Sequence, residues 1–154
     1  MKMNFAMMVL AFAIPAMAQA KTITVKGALA SNLANLAETY GNADGGMGKV
    51  EGNTEAVTCV KHVDEEKYEN DEIKCTIAYQ GVTKTISTKS QNETESADAM
   101  NLRFLLMEAT HADKQTSKME KQLSVKSIDC IRTTTEHEFD SLEIEVGTSC
   151  KIKY

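Results

Sequence analysis

The final thirteen residues read L-E-I-E-V-G-T-S-C-K-I-K-Y, from Leu142 to Tyr154. The even positions Leu142, Ile144, Val146, Thr148, Cys150, Ile152 and Tyr154 are apolar or β-favouring. The odd positions are polar, charged or glycine. Successive strand residues face opposite sides, so this period of two predicts a strand whose buried face carries a cysteine. A shorter copy lies at Ile73, Cys75, Ile77 and Tyr79, and both copies end Cys-x-Ile-x-Tyr.

Working outward, further stretches match in order. Lys21–Gly27 (K-T-I-T-V-K-G) matches Lys84–Ser90 (K-T-I-S-T-K-S) at an offset of 63. Asn32-Leu33 matches Asn101-Leu102, and Ala43-Asp44 matches Ala112-Asp113, at 69. Cys59-Val60-Lys61 matches Cys130-Ile131-Arg132 at 71, and the Cys-x-Ile-x-Tyr pair lies at 75. Offsets that grow in one direction point to a tandem duplication with loop insertions. Residues 21–81 form the first β-α-β-β repeat and 82–154 the second, together one compact domain.

Within each repeat the helix is read from its apolar stripe. Leu29, Leu33, Leu36 and Tyr40 recur at helical spacing, and Gly41 is a natural stop. A second helix is expected from Thr94 to Ala109, with Asn92, Thr94 or Ser96 as caps and Glu93, Glu95 and Asp98 in its first turn. Its stripe is Leu102, Leu105, Leu106 and Ala109, preceded by Ala99 or Met100. Gly41–Gly48 reads as a flexible loop, Lys49–Val63 as one strand and Lys114–Lys121 as a polar connection. A turn at Tyr79–Val82 is expected to join the halves by pairing the flanking strands. The predicted fold is α+β: two β-α-β-β repeats forming one antiparallel sheet, two helices on its cysteine-bearing face, and one disulfide per repeat.

The chain has four cysteines and no C-x-x-C pair, so disulfides are expected over zinc. Directly paired residues of an antiparallel hairpin have a constant sum. Sums of 134 and 280 join Cys59 to Cys75 and Cys130 to Cys150, place the tips in polar stretches and keep the cysteines on apolar faces. These pairings are favoured over the other two connectivities. The same sums set His62 opposite Glu72 and His137 opposite Glu143. Such pairs can be pH-sensitive contacts, weak metal sites or plain exposed cross-strand pairs, and the last is the expectation. Leu123 and Val125 have opposite parity to Ile128 and Cys130, which calls for a bulge near Lys126-Ser127.

Met1 to Ala20 reads as a cleaved signal peptide. Lys2 precedes a short apolar run, Pro15 breaks it, and Ala18-Gln19-Ala20 fits a small-x-small cleavage site. No stable membrane insertion is expected after cleavage, and the location is periplasmic or secreted. Removing Lys2 leaves 16 of the 17 basic residues against 22 acidic ones, a net charge near −6. An acidic surface argues against nucleic acid as partner. Tryptophan is absent and aromatic content is 5%, so a carbohydrate- or base-stacking platform is poorly supplied.

No catalytic motif stands out. G-x-S-x-G and H-E-x-x-H are missing, and the three histidines His62, His111 and His137 lack ligand spacing. The Gly41–Gly48 stretch lacks a G-K-[ST] ending, and Asp44 lacks the alternating acids of a calcium loop. No cofactor or metal site is expected. Glu65, Glu66, Glu69, Asp71 and Glu72 make an acidic hairpin tip, read as a solvated turn first, and otherwise as a docking surface for a basic partner or a loose cation site. In plan, two tandem α/β halves with a disulfide each resemble the secreted proteinaceous β-lactamase inhibitors, without a shared motif. The leading reading is a non-enzymatic binding or interaction module with a protein partner docked on the open sheet face or the acidic tips. The alternatives are a small hydrolase using Glu72, Glu143, His62 and His137 across the halves, and a carrier of a small apolar ligand in a cavity lined by Leu33, Leu102, Leu105 and Ile144.

Overall fold

The computed structural model describes residues 20–46, 49–111, 122–136 and 143–154. In chain order the elements are β1 (Thr22–Lys26), α1 (Ala28–Tyr40), β2 (Asn42–Gly46), β3 (Lys49–Thr54), β4 (Ala56–His62), a 3-10 turn (Tyr68–Asn70) and β5 (Glu72–Tyr79). There follow β6 (Val82–Ser87), α2 (Glu93–His111), β7 (Gln122–Val125), β8 (Ser127–Glu136) and β9 (Glu143–Lys153). The class is α+β, with two helices, two antiparallel sheets and two disulfides among the described residues.

The strands form two sheets instead of the expected one. The first has the order β1-β9-β8-β3-β2 and the second β6-β5-β4-β7. The chain passes between them at single residues. Glu55 separates β3 from β4, and Lys126 separates β7 from β8. The stretch expected as one strand, Lys49–Val63, is therefore two strands in different sheets. The parity conflict around Lys126 has the same cause. Leu123, Val125, Ile128 and Cys130 are all buried because the strand changes sheet, and with it the face that meets the core. Each corner keeps its backbone satisfied in the sheet being entered: the Glu55 amide donates to Ala78 O at 2.8 Å and the Lys126 amide to Lys153 O at 2.6 Å.

Another expectation fails at Gly41–Gly48. Asn42 to Gly46 pair with β3, from Asn42 against Asn53 to Gly46 against Lys49. Glycine favours bends but also fits an extended strand, and the partner strand decided the outcome. Met47 and Gly48 lie outside the described residues, as does Lys114–Lys121.

The hairpin registers follow the cysteines. Cys59 pairs with Cys75 and His62 with Glu72, so the sum of 134 holds throughout β4–β5. Cys130 pairs with Cys150, and the sum of 280 holds as far as Thr133 and Gly147. A register shift between Thr133 and Thr134 then puts Glu143 opposite Glu136 instead of His137. His137 lies outside the described residues. The turn between β5 and β6 is as expected, with Tyr79 against Val82. Gln80 (φ 43°) and Gly81 (φ 73°) are both left-handed, the conformation that a two-residue hairpin of the right twist needs.

The helices are built from small residues where they meet the sheets. Ala30, Ala34 and Ala37 of α1 and Ala99 and Ala109 of α2 are buried, with Leu33, Leu102 and Leu106 reaching into the same core. Alanine lets backbone approach backbone. Cys150 Sγ lies 3.3 Å from Ala30 O, and Cys75 Sγ lies 3.5 Å from Ala99 O. These are packing contacts, since a disulfide sulfur carries no proton. Each helix thus seals the disulfide of a distant hairpin: α1 covers β8–β9 and α2 covers β4–β5. Asn92 caps α2 through its Oδ1, which accepts from the amides of Thr94 (3.0 Å) and Glu95 (3.3 Å).

Because each helix rests on a hairpin from the other part of the chain, unfolding should be a single transition. Replacing both Cys130 and Cys150 by alanine should lower stability by about 3 kcal/mol through the chain-entropy term. Urea titrations followed by far-UV dichroism and tyrosine fluorescence should coincide before and after the change; two separated transitions would refute the interlock.

A candidate binding groove between the helices

Side by side on the sheets, α1 and α2 leave a groove of about 390 Å³ on their outer surface. Asn32, Asn35, Leu36 and Thr39 line it from α1, and Asp98, Asn101, Phe104 and Leu105 from α2. The spacing is helical. Residues three and four apart share a face, so each helix offers one continuous wall. Asn32 and Asn101 immediately precede the core residues Leu33 and Leu102. A helix that buries the leucine turns the preceding residue outward toward its neighbour.

Two groove groups are held from outside it. Arg132 of β8 donates through Nη1 to Glu38 Oε1 at 2.6 Å and through Nη2 to Ser31 O at 3.4 Å and to Asn35 Oδ1. A guanidinium has donors only, so Asn35 must turn its oxygen to Arg132 and its NH₂ away. The Arg132 side chain is only 12% exposed. At the other end, the Tyr40 hydroxyl donates to Asp98 Oδ2. Lys84 Nζ lies 4.8 Å from the Tyr40 ring centroid and 3.5 Å from Glu95 Oε1. Burial, donation to Asp98, and the charges of Asp98 and Glu95 hold the Tyr40 phenol well above its ordinary pKa. Asn32 and Asn101 make no side-chain hydrogen bond among the described residues. They offer a donor and an acceptor each. Phe104 is 56% exposed.

The residues singled out from the sequence lie elsewhere. His62 is exposed and opposite Glu72, but Glu72 Oε1 accepts from Ser87 Oγ at 2.6 Å and meets Lys74 Nζ at 3.5 Å. Those two partners pull the Glu72 carboxyl below its usual range, Ser87 more than Lys74. Glu143 lies in the other sheet, and neither Glu72 nor His62 lines any of the described pockets. The acidic tip is locally ordered. Asp64 Oδ1 accepts from the amides of Glu66 (3.0 Å) and Lys67 (3.2 Å), Asn70 donates to its Oδ2 at 2.8 Å, and Asp71 bonds the Asp64 amide at 3.0 Å and Lys61 at 3.1 Å. No group of three or more His, Cys, Asp or Glu among the described residues is placed to hold a metal. The apolar cavity expected around Leu33 and Leu102 is a void of about 10 Å³, bounded also by Val57, Ile77 and Ile128. It is about the size of one water and too small for a ligand. Leu105 belongs to the outer groove instead.

Comparison with protein-family models, curated proteins and solved structures finds no match. The likeness in plan to secreted β-lactamase inhibitors therefore gains no support from solved structures.

Two titrations follow. Tyr40 is raised in the folded state, so its contribution is present below the unfolded value near 10 and is lost as pH rises above it. In a 295 nm titration one of the four tyrosines should stay protonated past about pH 11 while the fold holds. Tyr40→Phe should remove that late step and cost about 1–2 kcal/mol. Asp64, Asp71 and Glu72 have lowered values, held down by their hydrogen bonds to Asn70, Lys61 and Ser87 respectively. Their contribution is present above about pH 4 and is lost as pH falls. Exchange protection of the Glu66 and Lys67 amides should fall below that pH, and Asp64→Asn should weaken it already at neutrality.

Proposed function

We propose that the mature protein is an exported, non-enzymatic binding module, and that its site is the groove between α1 and α2. The observation that carries this reading is the fixing of the groove's polar groups in advance: Arg132 sets Asn35 and Tyr40 sets Asp98. Groups fixed before contact spare a ligand the cost of ordering them. Around them the groove lining holds one carboxylate and no nucleophile–base pair. Export to the periplasm or the medium is supported by the leader-like Met1–Ala20. Oxidation of Cys59, Cys75, Cys130 and Cys150 in two bridges is compatible with such a compartment.

The groove also fits a duplicated origin, with 21–81 and 82–154 as repeats carrying one bridge each. The order β1-β9-β8-β3 in one sheet corresponds, strand for strand, to β6-β5-β4-β7 in the other. Each sheet then takes the opening strand of one repeat and the strand that precedes its hairpin (β1 and β3, or β6 and β7), together with the hairpin of the other repeat. Ala30 and Ala99, the residues against the disulfides, sit at the same offset of 69 as the Asn-Leu pairs.

Fragment screening by ¹⁵N-resolved NMR tests the site. Small polar fragments should shift the amides of Asn32, Asn35 and Asn101 first, and Asn32→Ala with Asn101→Ala should abolish those shifts without moving the urea midpoint. Fragments collecting elsewhere, or turnover in a broad hydrolase screen, would overturn the reading.

A further inference from the structure

We infer that the groove takes a neutral, hydroxyl-rich ligand: one or two pyranose rings of a saccharide. The inference rests on the groove being the binding site and names its ligand class.

The lining decides by exclusion and by fit. It contains no Lys, Arg or His, so a phosphate, sulfate or carboxylate ligand would find no counter-charge there. Its one carboxylate, Asp98, already accepts from Tyr40 on Oδ2 and repels anions further. A single carboxylate with carboxamide neighbours is also too sparse for a hard cation, which takes six or more oxygens or keeps its waters. A purely apolar ligand would cover the side-chain amides of Asn32 and Asn101, the Asn35 NH₂ and Asp98 Oδ1 without giving them partners.

What remains is a neutral molecule carrying both donors and acceptors. Asn32 and Asn101 face the groove from opposite walls, and each can give and take a hydrogen bond. Asn35 presents its NH₂, and Asp98 keeps Oδ1 as an acceptor. Adjacent ring hydroxyls each donate and accept, and sit close enough for one carboxylate or carboxamide to bridge two of them. Phe104, Leu36 and Leu105 supply apolar surface for the C–H face of a ring. The walls run from Asn32 to Thr39 and from Asp98 to Leu105, about 10 Å each at 1.5 Å rise per residue. That length and the volume suit a short saccharide. The scarcity of aromatic residues does not forbid this, because one exposed ring suffices for one sugar face.

An extended peptide is another neutral polar ligand. It repeats its amides every ~3.3 Å and is best met by a strand edge. The groove instead offers side chains at helical steps of about 5–6 Å.

The test titrates the mature, oxidised protein in ¹⁵N-resolved NMR with neutral hexoses, N-acetylhexosamines and their disaccharides. A second arm uses end-blocked, uncharged tripeptides. At least one saccharide should shift the side-chain NH₂ signals of Asn32, Asn35 and Asn101 in a saturating manner. Asn101→Ala and Phe104→Ala should each weaken that binding about tenfold, the worth of one lost hydrogen bond or ring contact. Both positions are exposed, so thermal melts should be unchanged. If no saccharide moves these signals, or if binding survives both substitutions, the inference fails. If tripeptides move them and saccharides do not, the ligand class is wrong while the groove stands as the site. If neither class moves them and polar fragments gather elsewhere, the groove itself is wrong.

Discussion

Two disulfides pressed against two helix backbones organise this molecule. Cys150 meets the carbonyl of Ala30, and Cys75 meets that of Ala99. Such contact needs a small residue such as alanine at the touching position, because a larger side chain would hold the backbone off. Once made, it fixes each helix by a covalently closed hairpin whose cysteines are fully buried. The sheets, the core and the outer groove take their places from that constraint. The crossings at Glu55 and Lys126 are its topological counterpart, since they carry each hairpin into the sheet that the other helix covers.

The groove is a by-product of the same packing. Burying Leu33 and Leu102 turns Asn32 and Asn101 outward, and helices seated on abutting sheets cannot close completely over their outer surface. What distinguishes the groove from an ordinary crease is support from below. Arg132 comes from the strand that carries Cys130, two residues on, and fixes both Glu38 and Asn35 of α1. Tyr40 closes α1 and holds Asp98 of α2. Polar groups are thus ordered by elements already rigid for reasons of fold.

Local pattern made much of the fold legible in the sequence. The alternation around Cys75 and Cys150 gave strands and register, and with them both disulfide pairings. The stripe from Leu29 to Tyr40 gave a helix. Two features escaped. A change of sheet at Glu55 leaves no mark except a parity conflict, which at Lys126 looked like a bulge because both devices flip the face that follows. Strand character in Asn42–Gly46 has no apolar signal at all and exists through pairing with β3. The candidate site was the least legible part. Titratable residues point instead to His62 and Glu72, where Ser87 and Lys74 already satisfy the carboxylate. The signal for the groove lies in the Asn-Leu pairs at 32–33 and 101–102, in which each leucine is core and each asparagine faces outward.

Fold and site share residues unequally, and this decides which positions can report on function alone. Arg132 ties α1 to its sheet while orienting Asn35, so its removal would disturb the packing and the polar wall of the groove together. Tyr40 has the same double character, being buried in the core and bonded to Asp98. Asn32, Asn101 and Phe104 are exposed, and their side chains make no hydrogen bond among the described residues. Nothing in the fold requires an amide at either asparagine, since most surface positions of a helix accept many polar residues at little cost. Three such side chains converging on one groove are therefore its most informative part. They are the positions where substitution alters the groove without touching the scaffold.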